Sequence, residues 1–289
     1  MKKGILLIFT LLCFTFSFAQ EKVKDTTYWT KKGKVTFLLN QSAFSNWVAG
    51  GESTIAGNLG VNYAFNYKKD KVLWNNRIIA SYGLTNSKNS DFTKKTDDIL
   101  EFNSLVGIKA KGYWFYSFLL NFKTQFAKGY EYGKDANGKE TRTAYTNFMS
   151  PGYLLLGPGI LWEKNPNFKF NLSPIMTKLV FVDKNFTLPN NAYFGVDEGK
   201  SMRFELGFSA AAYAKFNIME NVSMENILAL YSNYLEDPQN IDIDYTMNLV
   251  MGINKYLSAN LIFQTIYDDN AYEGFQIREV FGLGINYDF

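Results

Sequence analysis

Four aspartates carry the most concentrated ligand chemistry in the chain: Asp242 and Asp244 on one stretch, Asp268 and Asp269 on another, with Asp237 close by. Carboxylate oxygens grouped this way are hard donors, suited to Ca²⁺ or to divalent cations that bridge phosphates. The plainer reading is a solvated rim in which these acids pair with lysines and arginines, and isolated surface pairs of that kind contribute little. A second set of charges is spread more widely and nearly balanced in sign: Arg77, Glu101, Lys109, Lys123, Arg203, Glu205, Lys215, Glu225 and Arg278.

Most of the usual catalytic apparatus is missing. The chain has no histidine, which removes Ser-His-Asp and Cys-His activation in their usual forms and any histidine-containing metal site. No GxxxxGK[ST], GxGxxG or CxxC pattern occurs. The expectation is a protein without cofactor and without enzymatic activity.

The elements that must position these charges alternate with period two, as strands with two different faces do. Twelve such runs fall at about 34–46, 53–67, 71–84, 98–110, 113–127, 149–163, 168–181, 201–217, 222–234, 241–254, 256–267 and 276–289. In the second, Leu59, Val61, Tyr63, Phe65 and Tyr67 oppose Asn58, Gly60, Asn62, Ala64 and Asn66. In the tenth, Ile243, Tyr245, Met247, Leu249 and Met251 oppose Asp242, Asp244, Thr246 and Asn248. Soluble strands usually number about five or six residues, whereas a tilted strand crossing a bilayer needs about 9–11. A soluble sandwich would bury the apolar parity; a barrel in lipid turns it outward and keeps the polar parity in its lumen. Run length favours the barrel, and the second set of charges then lines its interior.

Connections supply an independent test. Links after the even runs are short: Lys68 to Asp70, Lys111-Gly112, Lys164 to Asn167, Asn217 to Asn221, and Lys255. Links after the odd runs are mostly longer: Trp47 to Glu52, Thr85 to Asp97, Ala127 to Phe148, Val182 to Lys200, Leu235 to Asn240, and Asp268 to Phe275. Short periplasmic turns alternating with longer external loops are the layout of outer-membrane barrels. The even count puts both termini in the periplasm. The fold expected is all-β: a transmembrane antiparallel up-and-down barrel of about 12 strands over residues 34–289. The longest loop, with Tyr130, Tyr132 and Lys134 to Lys139, reads as a mobile surface segment. Trp47, Trp74, Trp114 and Trp162 read as interface anchors of an aromatic girdle.

The ends agree. Lys2 and Lys3, an apolar stretch from Gly4 to Phe18 and Ser17-Phe18-Ala19 read as a signal peptide over residues 1–19. Residues 20–33 lack alternation and read as a periplasmic tail. Without Lys2 and Lys3 the chain carries 28 basic against 27 acidic residues, so nucleic acid is not an expected partner. Phe281, Leu283, Ile285, Tyr287 and Phe289 alternate with Gly282, Gly284, Asn286 and Asp288, which resembles the signal read by the outer-membrane insertion machinery.

Further landmarks resemble a Bacteroidota family known as domain of unknown function 3078: Trp47 with Gly50-Gly51, Lys95-Thr96 with Asp98, Trp114 with Tyr116-Ser117, and Thr124-Gln125-Phe126 with Gly129-Tyr130. Pro151-Gly152-Tyr153, Leu172-Ser173-Pro174, Phe194-Gly195-Val196, Asp237-Pro238 and Tyr267-Asp268-Asp269 extend the likeness. The resemblance implies an envelope barrel and brings no activity. Expected surroundings are outer-membrane lipid, lipopolysaccharide and an envelope protein docked through loops or tail. A weakly selective channel for small solutes is the leading expectation. The alternative is a non-conducting structural or assembly subunit, because a barrel of twelve strands lies between the filled eight-stranded and the open sixteen-stranded sizes.

Overall fold

The computed structural model describes residues 28–45, 52–188 and 192–289. The expected signal peptide, most of the expected tail, and Trp47 with Gly50-Gly51 lie outside the described residues. Among the described residues fourteen strands follow one another: β1 (Trp29–Ser42), β2 (Thr54–Lys69), β3 (Val72–Ser87), β4 (Lys94–Lys109), β5 (Trp114–Thr124), β6 (Gly129–Lys134) and β7 (Glu140–Thr146). Then come β8 (Gly152–Asn165), β9 (Phe168–Phe181), β10 (Met202–Met219), β11 (Val222–Asn233), β12 (Asp242–Gly252), β13 (Leu257–Asp268) and β14 (Tyr272–Asp288).

Twelve of them close into an antiparallel barrel in the ring order β1-β14-β13-β12-β11-β10-β9-β8-β5-β4-β3-β2, and β6 and β7 form a separate hairpin between β5 and β8. Short turns join one end of the barrel. Asp70, Gly112 and Asn221 take positive φ in three of these turns (50°, 61° and 63°), as tight hairpin turns require. Both ends of the ring, Trp29 of β1 and Asp288 of β14, lie at this short-turn end.

The faces are inverted relative to a soluble protein. Along β14, Phe275, Ile277, Phe281, Leu283, Ile285 and Tyr287 are exposed, while Gly282, Gly284 and Asn286 are buried; Glu279 is the charged exception on the outward parity. The interior holds Asn58, Ser117, Asn171, Ser173, Glu205, Ser258, Asn260 and Gln264, all buried. An exterior this apolar far exceeds the patches that monomeric soluble proteins expose. It matches the outward apolar band of transmembrane barrels, and closure leaves no sheet edge to satisfy.

Ring closure runs through β1 and β14. Their pairing spans Lys34↔Asp288 to Leu39↔Leu283 and is extended by Gly33 and Phe289, which exchange backbone hydrogen bonds of 2.7 and 2.9 Å. By contrast β1 and β2 pair along all of β1, from Trp29↔Tyr67 to Ser42↔Thr54. The Phe289 ring lies over Gly33 and stacks between Tyr63 and Tyr287, with centroids at 6.1 and 5.9 Å. A phenyl ring covering a glycine on the neighbouring strand fills the gap that the missing side chain leaves.

Four boundaries differ from expectation. β1 begins at Trp29 rather than 34: Thr30, Lys31 and Lys32 lie at the mouth, beyond the apolar band, where backbone pairing persists but neither face needs apolar residues. β3 and β4 extend each other, shrinking the expected Thr85–Asp97 loop to residues 88–93. β14 starts at Tyr272, so the expected Asp268–Phe275 loop is a short link over residues 269–271.

The fourth difference is the hairpin β6–β7, inside what reads in sequence as a mobile loop. Arg142 stacks on Tyr130 and Phe92 at 4.5 and 4.8 Å. Glu140 accepts hydrogen bonds from Ser90 Oγ and the Asp91 N–H, both at 2.8 Å, and from Lys94 Nζ at 3.1 Å. These contacts dock the hairpin on the β3–β4 loop. The Ser90 hydrogen bond, then those from Lys94 and Asp91, hold the Glu140 carboxyl below its ordinary range.

Candidate functional site: a bridged lumen

Because strand side chains alternate in and out, the polar parities of twelve strands converge on the barrel axis, and the charges meet across it. Arg77 on β3 donates to Glu225 on β11 at 3.2 Å. Five strands separate β3 from β11 either way round the ring, so this pair joins opposite walls. Glu225 also accepts from Tyr213 Oη at 2.8 Å and Asn248 Nδ2 at 3.0 Å. This layer sits toward the short-turn end, where Leu73, Phe115 and Leu161, with Leu105, add an apolar cluster inside the wall.

A second layer lies toward the long loops. Lys123 on β5 donates to Asp244 on β12 at 2.7 Å, again across the lumen, and Gln264 Nε2 supports the same aspartate at 2.9 Å. Arg278 on β14 reaches Asp97 on β4 at 2.7 Å. Asp97 also accepts from Asn58 Nδ2 at 2.7 Å and from Ser81 Oγ. Glu101 accepts from Asn103 and Asn121, each at 2.8 Å.

At the long-loop mouth, Lys178 on β9 is buried among three acids: Asp242 at 2.9 Å, Glu205 at 3.4 Å and Asp268 at 4.0 Å. Arg203 bridges Glu205 at 3.1 Å and Glu236 at 2.7 Å. The loop after β9 folds back over this mouth. Val182, Tyr193 and Val196 bury against Val180, packed by Tyr153, Phe186 and Phe194, and Arg203 Nη1 holds the Gly195 carbonyl at 2.9 Å. Beside it remains an open vestibule lined in part by Lys95, Asp97, Lys123, Gln125, Gln264 and Arg278.

Of the charges assigned to the lumen from sequence, Arg77, Glu101, Lys123, Arg203, Glu205, Glu225 and Arg278 meet interior partners. Lys109 and Lys215 are exposed toward the short-turn end. The aspartates of the rim divide. Asp242, Asp268 and Asp269 bring carboxylate oxygens within 4.8 Å of one another, whereas Asp244 turns to Lys123. The Lys178 ammonium already sits against two of the three. Asp97 and Lys178 were not among the sequence candidates: Asp97 falls in an expected loop, and a register irregularity after Ser173 breaks the parity that would have placed Lys178 inside.

The family model described as "Protein of unknown function (DUF3078)" matches residues 39–130, from within β1 to the start of β6. That is the family whose landmarks the sequence resembles. No curated protein matches the chain. Among solved structures, the translocator domain of autotransporter NalP from Neisseria meningitidis is 8% identical at a TM-score of 0.42, covering 99% of this chain and 96% of its own. An outer membrane channel from Pseudomonas putida F1 is 10% identical at 0.40, covering 92% and 99%. Salmonella typhi OmpF, in complex with daunomycin, is 7% identical at 0.30, covering 93% and 100%.

Proposed function

We propose that this protein is an outer-membrane β-barrel closed to passive diffusion at rest, serving as a structural or assembly subunit that presents its long-loop face to envelope partners. The carrying observation is the Arg77–Glu225 bridge between opposite walls. One hydrogen-bonded pair can join diametrically opposed strands only where the walls approach to within two side-chain lengths. Lys123–Asp244 repeats the crossing nearer the loops. The docked hairpin β6–β7 supplies an ordered element for display, which suits recognition better than a free loop does.

A second reading is a weakly selective channel for small solutes whose gate is these bridges, and the vestibule above Lys123 and Arg278 favours it. Planar-bilayer conductance separates the two. The intact protein is expected to be silent while giving a folded, heat-modifiable band. Stable unitary steps from the intact protein would overturn the closed-barrel reading. Steps seen only in an Arg77→Ala, Lys123→Ala variant would favour the gate.

A further inference from the structure

Ion pairs are distributed unevenly along the barrel. Lys94, Lys95, Lys123, Lys178, Lys200, Arg203 and Arg278 all pair toward the long loops. At the short-turn end, Lys31, Lys69, Lys71, Lys111, Lys164 and Lys255 are exposed, and among the described residues none of the six takes part in an ion pair. Asp70 and Glu220 are the acids in these turns and Asp288 is exposed beside β1 at the same end, so three acids stand against the six lysines and the collar keeps a positive excess.

The collar coincides with an aromatic girdle. Trp29 packs against Trp74 and Tyr67 at 5.7 and 5.3 Å. Trp162 packs against Tyr113 and Phe170 at 5.9 and 5.4 Å, and Trp114 meets Phe170 at 5.8 Å. Lys69 and Lys255 lie over the rings of Tyr28 and Tyr256 at 4.7 and 5.3 Å. Tryptophan and tyrosine settle at the headgroup level of a bilayer, and lysines beside them lay their stems along apolar surface while keeping their ammonium groups in the polar layer.

Resting on the membrane reading above, we propose that this collar is a binding surface for anionic phospholipid headgroups in the leaflet facing the short turns. The distribution argues for lipid rather than an acidic protein. The six lysines come from β1 and from the β2–β3, β4–β5, β8–β9 and β12–β13 ends, spread around the ring, as a lipid annulus is and a single docked partner is not. Each lysine at an anionic surface strengthens attraction by about fivefold, over a range of about 8–10 Å at ordinary ionic strength.

Four of the five tryptophans, Trp29, Trp74, Trp114 and Trp162, lie at this level and report on lipid contact. The test reconstitutes the intact protein in mixed vesicles and compares fluorescence quenching by brominated phosphatidylglycerol and brominated phosphatidylcholine. Phosphatidylglycerol is expected to be favoured by about fivefold or more at low salt. That preference should decline as salt rises and vanish when all six lysines are changed to glutamine. Changing Lys88, Lys128, Lys134 and Lys139 at the other end should leave it intact. Equal quenching by the two lipids, or a preference surviving in the six-site variant, would overturn the proposal. Should that variant fail to fold, a salt-insensitive preference in the unchanged protein overturns it equally. Failure of the unchanged protein to insert at all would instead count against the membrane reading.

Discussion

Gly33→Ala offers the sharpest test of how the ring is closed. A Cβ on Gly33 would sit 2.2 Å from Phe289 Cζ and 2.4 and 2.7 Å from its Cε atoms, distances no real Cβ tolerates. The obstruction is the far end of a side chain, so the ring would swing away and the backbone would stay paired. What is lost is the stacking on Tyr63 and Tyr287. Aromatic pairs contribute about 0.5–1.5 kcal/mol each, which bounds the destabilisation at about 1–3 kcal/mol. Phe289→Ala removes the same contacts by another route and should cost a similar amount. The two losses are therefore one loss, and the double variant should be little worse than either single one. Urea titration of the protein folded in vesicles measures all three. Additivity within about 0.5 kcal/mol would refute the account, because it would mean that the alanine and the ring act independently.

Replacing Lys178 by methionine strands Glu205, Asp242 and Asp268 without their shared cation and should destabilise the barrel by about 3–5 kcal/mol. Millimolar Ca²⁺ should then raise the urea midpoint of that variant and leave the unchanged protein alone; an equal response in both would show that the ammonium does not occupy the cation position. The hairpin should loosen in acid. The Glu140 carboxyl is held below its ordinary range by its bond from Ser90, so its contribution is complete above the ordinary carboxylate value and fades as pH falls through the lowered one. Hydrogen exchange at Lys139 to Arg142 should therefore accelerate at low pH and become pH-independent in Glu140→Gln, apart from the intrinsic rate. Cysteine at Asn137 should react with an impermeant reagent on intact cells while cysteine at Lys111 should not. The reverse pattern would turn the barrel upside down.

Much of the wall was legible because lipid imposes a rule that sequence can express. β9 runs from Phe168 to Phe181, the bounds its apolar pattern suggests despite the irregularity after Ser173, and other boundaries shift by a few residues. The rule lapses wherever the apolar band ends. Trp29 to Gly33 pair fully with β2 yet lie at the rim, where Thr30, Lys31 and Lys32 interrupt the apolar-polar alternation that lipid imposes farther along the strand. The β6–β7 hairpin is held by Arg142 between two rings and by one carboxylate, contacts that leave no period. The candidate site was half legible. Parity put Arg77, Lys123, Glu225 and Arg278 inside, but which of them meet depends on ring order. Arg77 and Glu225 stand 148 positions apart in sequence, and only closure of the twelve strands sets them face to face.

The bridges across the lumen also have a meaning in plane geometry. Strand number and stagger fix the perimeter of a barrel, but a closed curve of fixed perimeter can enclose any area up to that of a circle. A chord tied between opposite points selects a small area from that range. Releasing Arg77 from Glu225 would let the section round out and its aperture widen while every rung of the backbone ladder stays intact. The bore of such a barrel is thus set by a few side chains, and evolution can retune it by substitutions at the chord ends without adding or removing a strand.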